Sequence, residues 1–367
     1  DFAKGEFDRE VALEHERNHT FPKEIWKKAC ELGFIGIHFP EAYGGQDYGI
    51  LENALVVEEF CRQDSGFGVA VTLADFASEI ILRFGTEEQK QAYLVPLTEG
   101  RMISCGGFTE PDHGSDITAM NTTAVREGDE WVINGTKTFI TNGTIGDYVS
   151  LLCQTDPDAS PTYRGQSVIL VERGTPGFTD ADVGEKMGIK MTSTAELSFN
   201  NVRVPASNLI GEENRGFYQV LEFFDESRIE IAAQALGIAQ GAFDRALAYT
   251  KERKQFGKKL AQFQATQHKL ADMATKIETA RLMVYKAAWN YDQGRIDPKL
   301  TSMAKMYAAR TAVEVADEAI QLHGGYGYML EYEVERFYRD AKIMEIYEGT
   351  REIQKNTIAS SLLGKLK

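Results

Sequence analysis

The sequence predicts a multi-domain α+β protein: an N-terminal helical domain, a middle β-barrel or sandwich domain, and a C-terminal four-helix bundle. Three observations carry that expectation. Helical periodicity fills most of the first stretch of chain. Residues 104–215 then switch to short β-rich runs punctuated by glycine, proline and threonine. From Gly216 the helical period returns and stays. The expected domains are therefore 1–103, 104–215 and 216–367.

The elements follow in order. Asp1 to Glu16 is a charged helical segment with Phe7 and Val11 on one line. Pro22 opens a second helix, where a missing N–H does no harm, and Gly33 stops it. Tyr43-Gly44-Gly45 reads as a loop, and Leu51 to Cys61, Ala77 to Phe84 and Glu87 to Gly100 as helices. In the middle part, Glu130-Trp131-Val132-Ile133 and Thr136-Lys137-Thr138-Phe139-Ile140 flank Asn134-Gly135, which predicts a hairpin turning at that dipeptide. Tyr148 to Cys153, Ser167 to Val171 and Glu196 to Val204 read as further strands. Four apolar stripes then predict the bundle. The first is Ile229, Ala233, Leu236, Ala239, Phe243 and Leu247; the second is Phe263, Leu270, Ile277, Val284 and Tyr291. Leu300, Met303, Tyr307 and Val315 form the third, ended by Gly324-Gly325, and Val334, Phe337 and Ala341 start the fourth.

Composition narrows the function. A chain of 367 residues, 43% hydrophobic, has the core for two or three domains and is not disordered. A net charge of -15 disfavours a nucleic-acid backbone as partner, while a local basic or backbone-amide pocket can still take an anion. Cys30, Cys61, Cys105 and Cys153 are scattered without paired spacing, the pattern of free thiols in a reducing compartment. No apolar run approaches the roughly 20 residues of a membrane span. No signal peptide is evident, and a start at Asp1 rather than methionine is compatible with a targeting segment removed or left out.

Three strings carry chemistry. Ile346-Tyr347-Glu348-Gly349-Thr350 puts a lone carboxylate beside a glycine after an apolar helical run. Phe108-Thr109-Glu110-Pro111 is followed by Gly114-Ser115-Asp116, and Arg253-Lys254-Gln255-Phe256-Gly257 lies between the two. Removing a proton beside a thioester carbonyl needs a base near that carbon and hydrogen bonds to the oxygen where charge develops. Each string alone has a plainer explanation: turn chemistry for the Pro, Gly and Asp positions, a solvated charge for Glu348 or Arg253. Together, in this order and over nearly the whole chain, they resemble the acyl-CoA dehydrogenase family, whose helix–sheet–helix architecture is the one predicted above.

The resemblance implies an FAD-dependent dehydrogenation of an acyl-CoA thioester, of short or medium or branched chain, to an enoyl-CoA. Glu348 matches the family's base and would take the pro-R α-proton, with FAD N5 accepting the β-hydride. Electrons would leave to an electron-transferring flavoprotein. Phe108, Thr109, Gly114 and Ser115 match one flavin loop, and Phe139 and Thr141 the second, with Phe139 where many relatives have tryptophan. Arg253 and Phe256 match a pair that reaches FAD from a neighbouring subunit, which implies a homotetramer. Gln321, Gly324 and Gly325 match the adenosine and pyrophosphate end; Thr350 and Glu352 match flavin-contacting positions. Ser115, Asp225, Arg228, Tyr347 and Gly349 fall at substrate positions. One branch carries its base on an earlier helix; in Phe224-Asp225-Glu226-Ser227-Arg228 that place holds Ser227, which cannot serve, and Glu226 is about 100° round the helix. The expected location is cytoplasmic in a bacterium, or the mitochondrial matrix in a eukaryote.

Asp75, in Thr72-Leu73-Ala74-Asp75-Phe76, departs from the family's pattern of a small neutral residue. It reads either as a helix N-cap or as a second catalytic carboxylate. The latter would suit a cyclic acyl- or enoyl-CoA, such as cyclohexane- or cyclohexene-carboxyl-CoA, in a 1,4-type removal. Two competing signals remain. His15-Glu16-Arg17-Asn18-His19 fits the pattern of a zinc hydrolase, but stops at Thr20-Phe21-Pro22 with no third ligand evident, so no metal is expected. Gly325-Tyr326-Gly327 lacks the third glycine of a nicotinamide-binding turn, and no phosphate loop occurs.

Overall fold

A computed structural model describes residues 1–364. Helices α1 (Phe2–Glu6), α2 (Arg9–Asn18), α3 (Lys23–Glu31), α4 (Ile50–Gln63), α5 (Ser65–Thr72), α6 (Ser78–Phe84) and α7 (Glu87–Thr98) build the first part. Their starts are chemically marked. Asp8 accepts from the N–H groups of Glu10 and Val11, Asp64 from Phe67, and Thr86 with Gln89 closes a capping box. Phe7 is buried as expected, but Val11 is exposed, because α2 buries the face bearing Ala12, Leu13 and Glu16.

The strands are β1 (Ser104–Gly107), β2 (Thr123–Glu127), β3 (Glu130–Thr141), β4 (Tyr148–Gln154), β5 (Gln166–Glu172), β6 (Phe178–Asp182), β7 (Thr194–Pro205) and β8 (Leu209–Ile210). They form one sheet in the order β6-β7-β3-β2-β4-β5-β8, with β1 alongside β4. Asn134-Gly135 is not a hairpin tip, contrary to expectation. It lies inside the continuous strand β3, where the register against β7 shifts between Ile133 and Gly135. A type I′ turn needs left-handed backbone at both central residues. Gly135 has a φ of 149° instead, and a Cβ there would meet Thr122 at 2.5 Å. The real hairpin turns at Gly128-Asp129, between β2 and β3. A second register shift, between Lys137 and Ile140, leaves Phe139 with a φ of 57° and 68% exposed. A bulge of this kind re-aims a side chain out of the sheet.

The last part starts with α8 (Gly216–Glu252), followed by a small hairpin, β9 (Lys254–Gln255) and β10 (Lys258–Lys259), then α9 (Gln264–Asp292) and α10 (Pro298–His323). The fourth bundle helix is broken. It consists of α11 (Val334–Ala341) and α12 (Arg351–Leu363), and the segment holding Glu348 lies in the break. A shared apolar core joins α4, α8, α9, α10 and α11. Polar ties lock α11 to the other two parts: Asp340 accepts from Ser65 Oγ at 2.7 Å and from the Ile189 N–H at 2.6 Å, and Arg336 pairs with buried Asp64. The break therefore hangs from an anchored helix.

All four cysteines are free and buried. Among the described residues, no helix is long and apolar enough to cross a membrane.

Candidate active site

After α11 the chain makes a 3₁₀ turn (Lys342–Glu345) and then reverses through Ile346 to Gly349. Glu348 has a φ of 54° and Gly349 of 92°. Left-handed backbone is uncommon for a glutamate and persists where its surroundings over-determine it. Here they do. Lys305 Nζ, from α10, donates to the Tyr347 carbonyl at 2.8 Å and the Gly349 carbonyl at 2.7 Å. Gln354 Nε2 donates to the carbonyls of Glu348 and Gly349, at 2.9 and 3.1 Å. Arg228 Nε donates to the Glu348 carbonyl at 3.3 Å, and the Tyr347 hydroxyl donates to Gln234 at 2.8 Å. Thr350 caps α12 by accepting from the Ile353 N–H, and Glu352 stands exposed in its first turn.

The Glu348 carboxylate itself accepts from Ser227 Oγ, on α8, at 2.7 Å. Burial pushes its pKa above the ordinary glutamate value; the Ser227 hydrogen bond and the charges of Arg228 and Lys305 pull it back. Burial likewise pushes Lys305 down to about 7, with Glu348 opposing. A partly buried carboxylate held above its ordinary range by an apolar setting suits a general base.

Of the expected substrate residues, Arg228 is buried and aimed at the Glu348 carbonyl, with its guanidinium over the Phe224 ring, so it helps hold the base segment. Asp225 beside it is half-buried, and burial raises its carboxyl. Glu226 points away from Glu348, as its helix angle requires, and pairs with Arg83.

Asp75 is no helix cap. Ala77 occupies that position of α6, without a side-chain cap bond. The Asp75 side chain is instead packed inside the protein, where burial first and the charge of Glu79 second push it up to about 7. The zinc pattern is broken as well. His19 leaves α2 in left-handed backbone, His15 Nδ1 pairs with Thr20 Oγ1 at 2.8 Å, and buried Glu16 pairs with Arg339 at 2.6 Å.

Apart from Thr350 and Glu352 at the start of α12, the expected cofactor residues fall in two stretches of the structure. Near the first, Glu110 ties down its loop by accepting from the N–H groups of Asn121 and Thr122 and pairing with buried Lys137 at 2.9 Å. This leaves Gly114 and Ser115 exposed, with Thr109 and Thr141 half-buried. The Phe108 ring lies in the core against Phe76, Phe223 and Phe224, and its carbonyl accepts from Lys137. At the second place, Arg253, Gln321, Gly324 and Gly325 line one cleft of about 620 Å³. Phe256 stands 94% exposed at the tip of the β9–β10 hairpin. It and Gly257 have φ of 51° and 75°, the conformation of a type I′ turn. A bare aromatic turned out at a bulge, and an arginine beside two glycines that have no neighbour where a Cβ would sit, fit a flat ring and a pyrophosphate. These are the parts of FAD.

Sequence reasoning missed Lys305, Gln354, Gln234, and the group His38, Glu79 and Glu230. Lys305 left a signal: it sits on the inward face of α10 with Thr301, Ala308 and Ala312, where a lysine needs a reason.

Comparison with known proteins identifies the family. The N-terminal, middle and C-terminal acyl-CoA dehydrogenase domain models match residues 1–101, 105–202 and 214–363. The chain is 44% identical to an acryloyl-CoA reductase (NADH) of Anaerotignum propionicum, over 96% of this chain and 90% of that one. It is equally identical, at 44%, to a short-chain specific acyl-CoA dehydrogenase of Clostridium acetobutylicum, over 99% and 95%. A chain in the solved structure of the electron transferring flavoprotein of Acidaminococcus fermentans superposes with a TM-score of 0.95 at 43% identity, covering 99% and 95%. The fold, the ordered motifs and these full-length matches place the chain in the acyl-CoA dehydrogenase family of FAD-dependent enzymes.

Proposed function

We infer that the protein dehydrogenates a short-chain acyl-CoA thioester to the enoyl-CoA, with Glu348 as the base. The observation that carries this reading is the Glu348 carboxylate, fixed by Ser227 on a backbone segment that Lys305, Gln354 and Arg228 hold in place. Glu348 removes the α-proton, and its backbone N–H is the candidate donor to the thioester oxygen as charge develops there. Tyr347 and Gly349 shape the approach to that carbon. FAD, when bound, supplies the acceptor for the β-hydride. Phe139, Thr141, Thr109, Gly114, Ser115, Thr350 and Glu352 would hold its flavin end, and Gln321, Gly324 and Gly325 its adenosine end. Arg253 and Phe256 would reach it from a neighbouring subunit of a homotetramer. The match to a chain solved with an electron transferring flavoprotein supports such a partner as electron acceptor. Anaerobic addition of acyl-CoA esters to the yellow holoenzyme tests the reading. Bleaching of the flavin by a saturated short-chain ester is the expected result; oxidation of pre-reduced flavin by enoyl esters alone would make the enzyme a reductase.

A second reading keeps Glu348 beside the α-carbon and adds Asp75 as a second carboxylate that takes the proton from a remote carbon of a cyclic acyl-CoA, so that one proton and one hydride leave in all. It is favoured by one observation: Asp75 is buried without capping a helix and is held up to about 7. Asp75→Asn would then abolish turnover of cyclohexene-carboxyl-CoA while sparing its binding. Unchanged turnover eliminates this mechanism.

A further inference from the structure

The turn between α5 and α6 faces α8 across a space crowded with carboxylates. Asp75, Glu79 and Glu230 bring one oxygen each to within 4.8 Å of one another, and Glu79 also groups with His38 and Glu226. Glu226 is compensated: Arg83 and the Tyr291 hydroxyl occupy one oxygen, and His38 Nε2 lies 3.1 Å from the other. The remaining three have no such ion pair: Asp75 takes backbone N–H groups alone, its own and that of Gly36. Glu230 receives only a long hydrogen bond from Gln234, at 3.3 Å. Glu79 is 5% exposed, and its Oε2 has no donor among the described residues. Among the described residues, the nearest ion partner of Glu79 is His38, 3.6 Å from Oε1.

Unpaired carboxylates in such a place are destabilising unless they hold protons or meet a cation. Burial pushes both Asp75 and Glu230 up, aided by the charge of Glu79 at Asp75 and by those of Asp75 and Glu79 at Glu230. Their position says what the cation is. Glu230 lies three residues along α8 from Ser227, whose hydroxyl holds the base Glu348. Residues three apart on a helix sit roughly 5–6 Å apart at Cβ, about the reach of a short acyl chain. We propose that the acyl group carries a protonated amine at its far end, and that Asp75, Glu79 and Glu230 form its subsite. This rests on Glu348 being the base of an acyl-CoA dehydrogenase. A protonated amine brings the positive charge that the three carboxylates lack and a donor for Glu79 Oε2.

The test pairs freshly prepared 4-(dimethylamino)butyryl-CoA, whose tertiary amine cannot form a stable lactam, with its neutral isostere 5-methylhexanoyl-CoA. Affinities for the FAD-loaded enzyme are measured by calorimetry, and flavin bleaching is followed in parallel. The ammonium ester should bind about tenfold tighter or better. Glu79→Gln and Glu230→Gln should each pull that ratio toward one. Equal binding of the two esters, preference for the neutral one, or a ratio unchanged in both variants overturns the proposal. So does stoichiometric binding of Mg²⁺ or Mn²⁺ to the substrate-free enzyme that Glu79→Gln removes. Preferential binding of the ammonium ester without bleaching supports the subsite and counts against the dehydrogenase reading alone.

Discussion

Ser227 gives Glu348 one 2.7 Å hydrogen bond, and that bond favours the charged carboxylate. Ser227→Ala removes it, so the Glu348 pKa rises further. The acid limb of kcat/KM, below which the base is protonated, should move to higher pH, with the alkaline limb unmoved. An unshifted acid limb would separate Glu348 from the titration. Lys305→Met leaves the Tyr347 carbonyl without its donor and loosens the segment that aims the base. Unmet buried carbonyls cost about 1–3 kcal/mol, so kcat should fall about ten- to a hundredfold, with KM changed far less. Asp75 makes a stability test. Its folded pKa, about 7, lies above the unfolded value of about 3.9. Stability is unimpaired below the unfolded value and is lost as pH rises through the folded one. Asp75→Asn should therefore raise the Tm more at pH 8 than at pH 5; an equal rise at both would mean that the carboxyl does not titrate there. The base was legible because its motif is one continuous string. Glu230 and Lys305 left a fainter trace, charges on inward helix faces. His38 and Glu79 left none, because tertiary packing alone brings them together with Glu230 from separate elements.

Among elements, the sequence misled where one dipeptide had two uses. Asn134-Gly135 has the composition of a hairpin tip, yet the Asn134 side chain accepts from the Asn201 N–H at 2.8 Å and Gly135 lies against Thr122. Glycine is required there for close approach and for a backbone conformation other residues rarely adopt. Gly135→Ala should cost about 2 kcal/mol or more, read as a drop in urea midpoint. A change under about 0.5 kcal/mol, typical of an exposed site, would contradict the bulge assignment. The fourth bundle helix shows the reverse case. Its apolar stripe was legible as far as Ala341, but a stripe says nothing of the break that follows. That break needs the left-handed pair Glu348-Gly349 and carbonyl-holding side chains from α12 and from α8 and α10, the last two distant in sequence.

For the whole molecule, the helix–sheet–helix order was legible because each period runs over many residues, long enough to outweigh local errors. Assembly is a different matter, since a surface reads as polar or apolar but names no partner. Phe256 at its hairpin tip and Tyr328 are almost bare, beside Arg253, which stacks on Tyr326. Such apolar exposure fits an interface. Arg253→Ala should lower FAD retention through dialysis, and the wild type should elute as an oligomer; a stable, FAD-loaded monomer would sink the shared-cofactor reading.

The central claim is that Glu348 is the base. Glu348→Gln keeps the shape and the Ser227 contact but cannot take a proton. In an anaerobic stopped-flow experiment with the best acyl-CoA ester, this variant should keep its FAD and bind the ester, while flavin reduction falls by at least about a thousandfold. Bleaching at a near-wild-type rate would contradict the account.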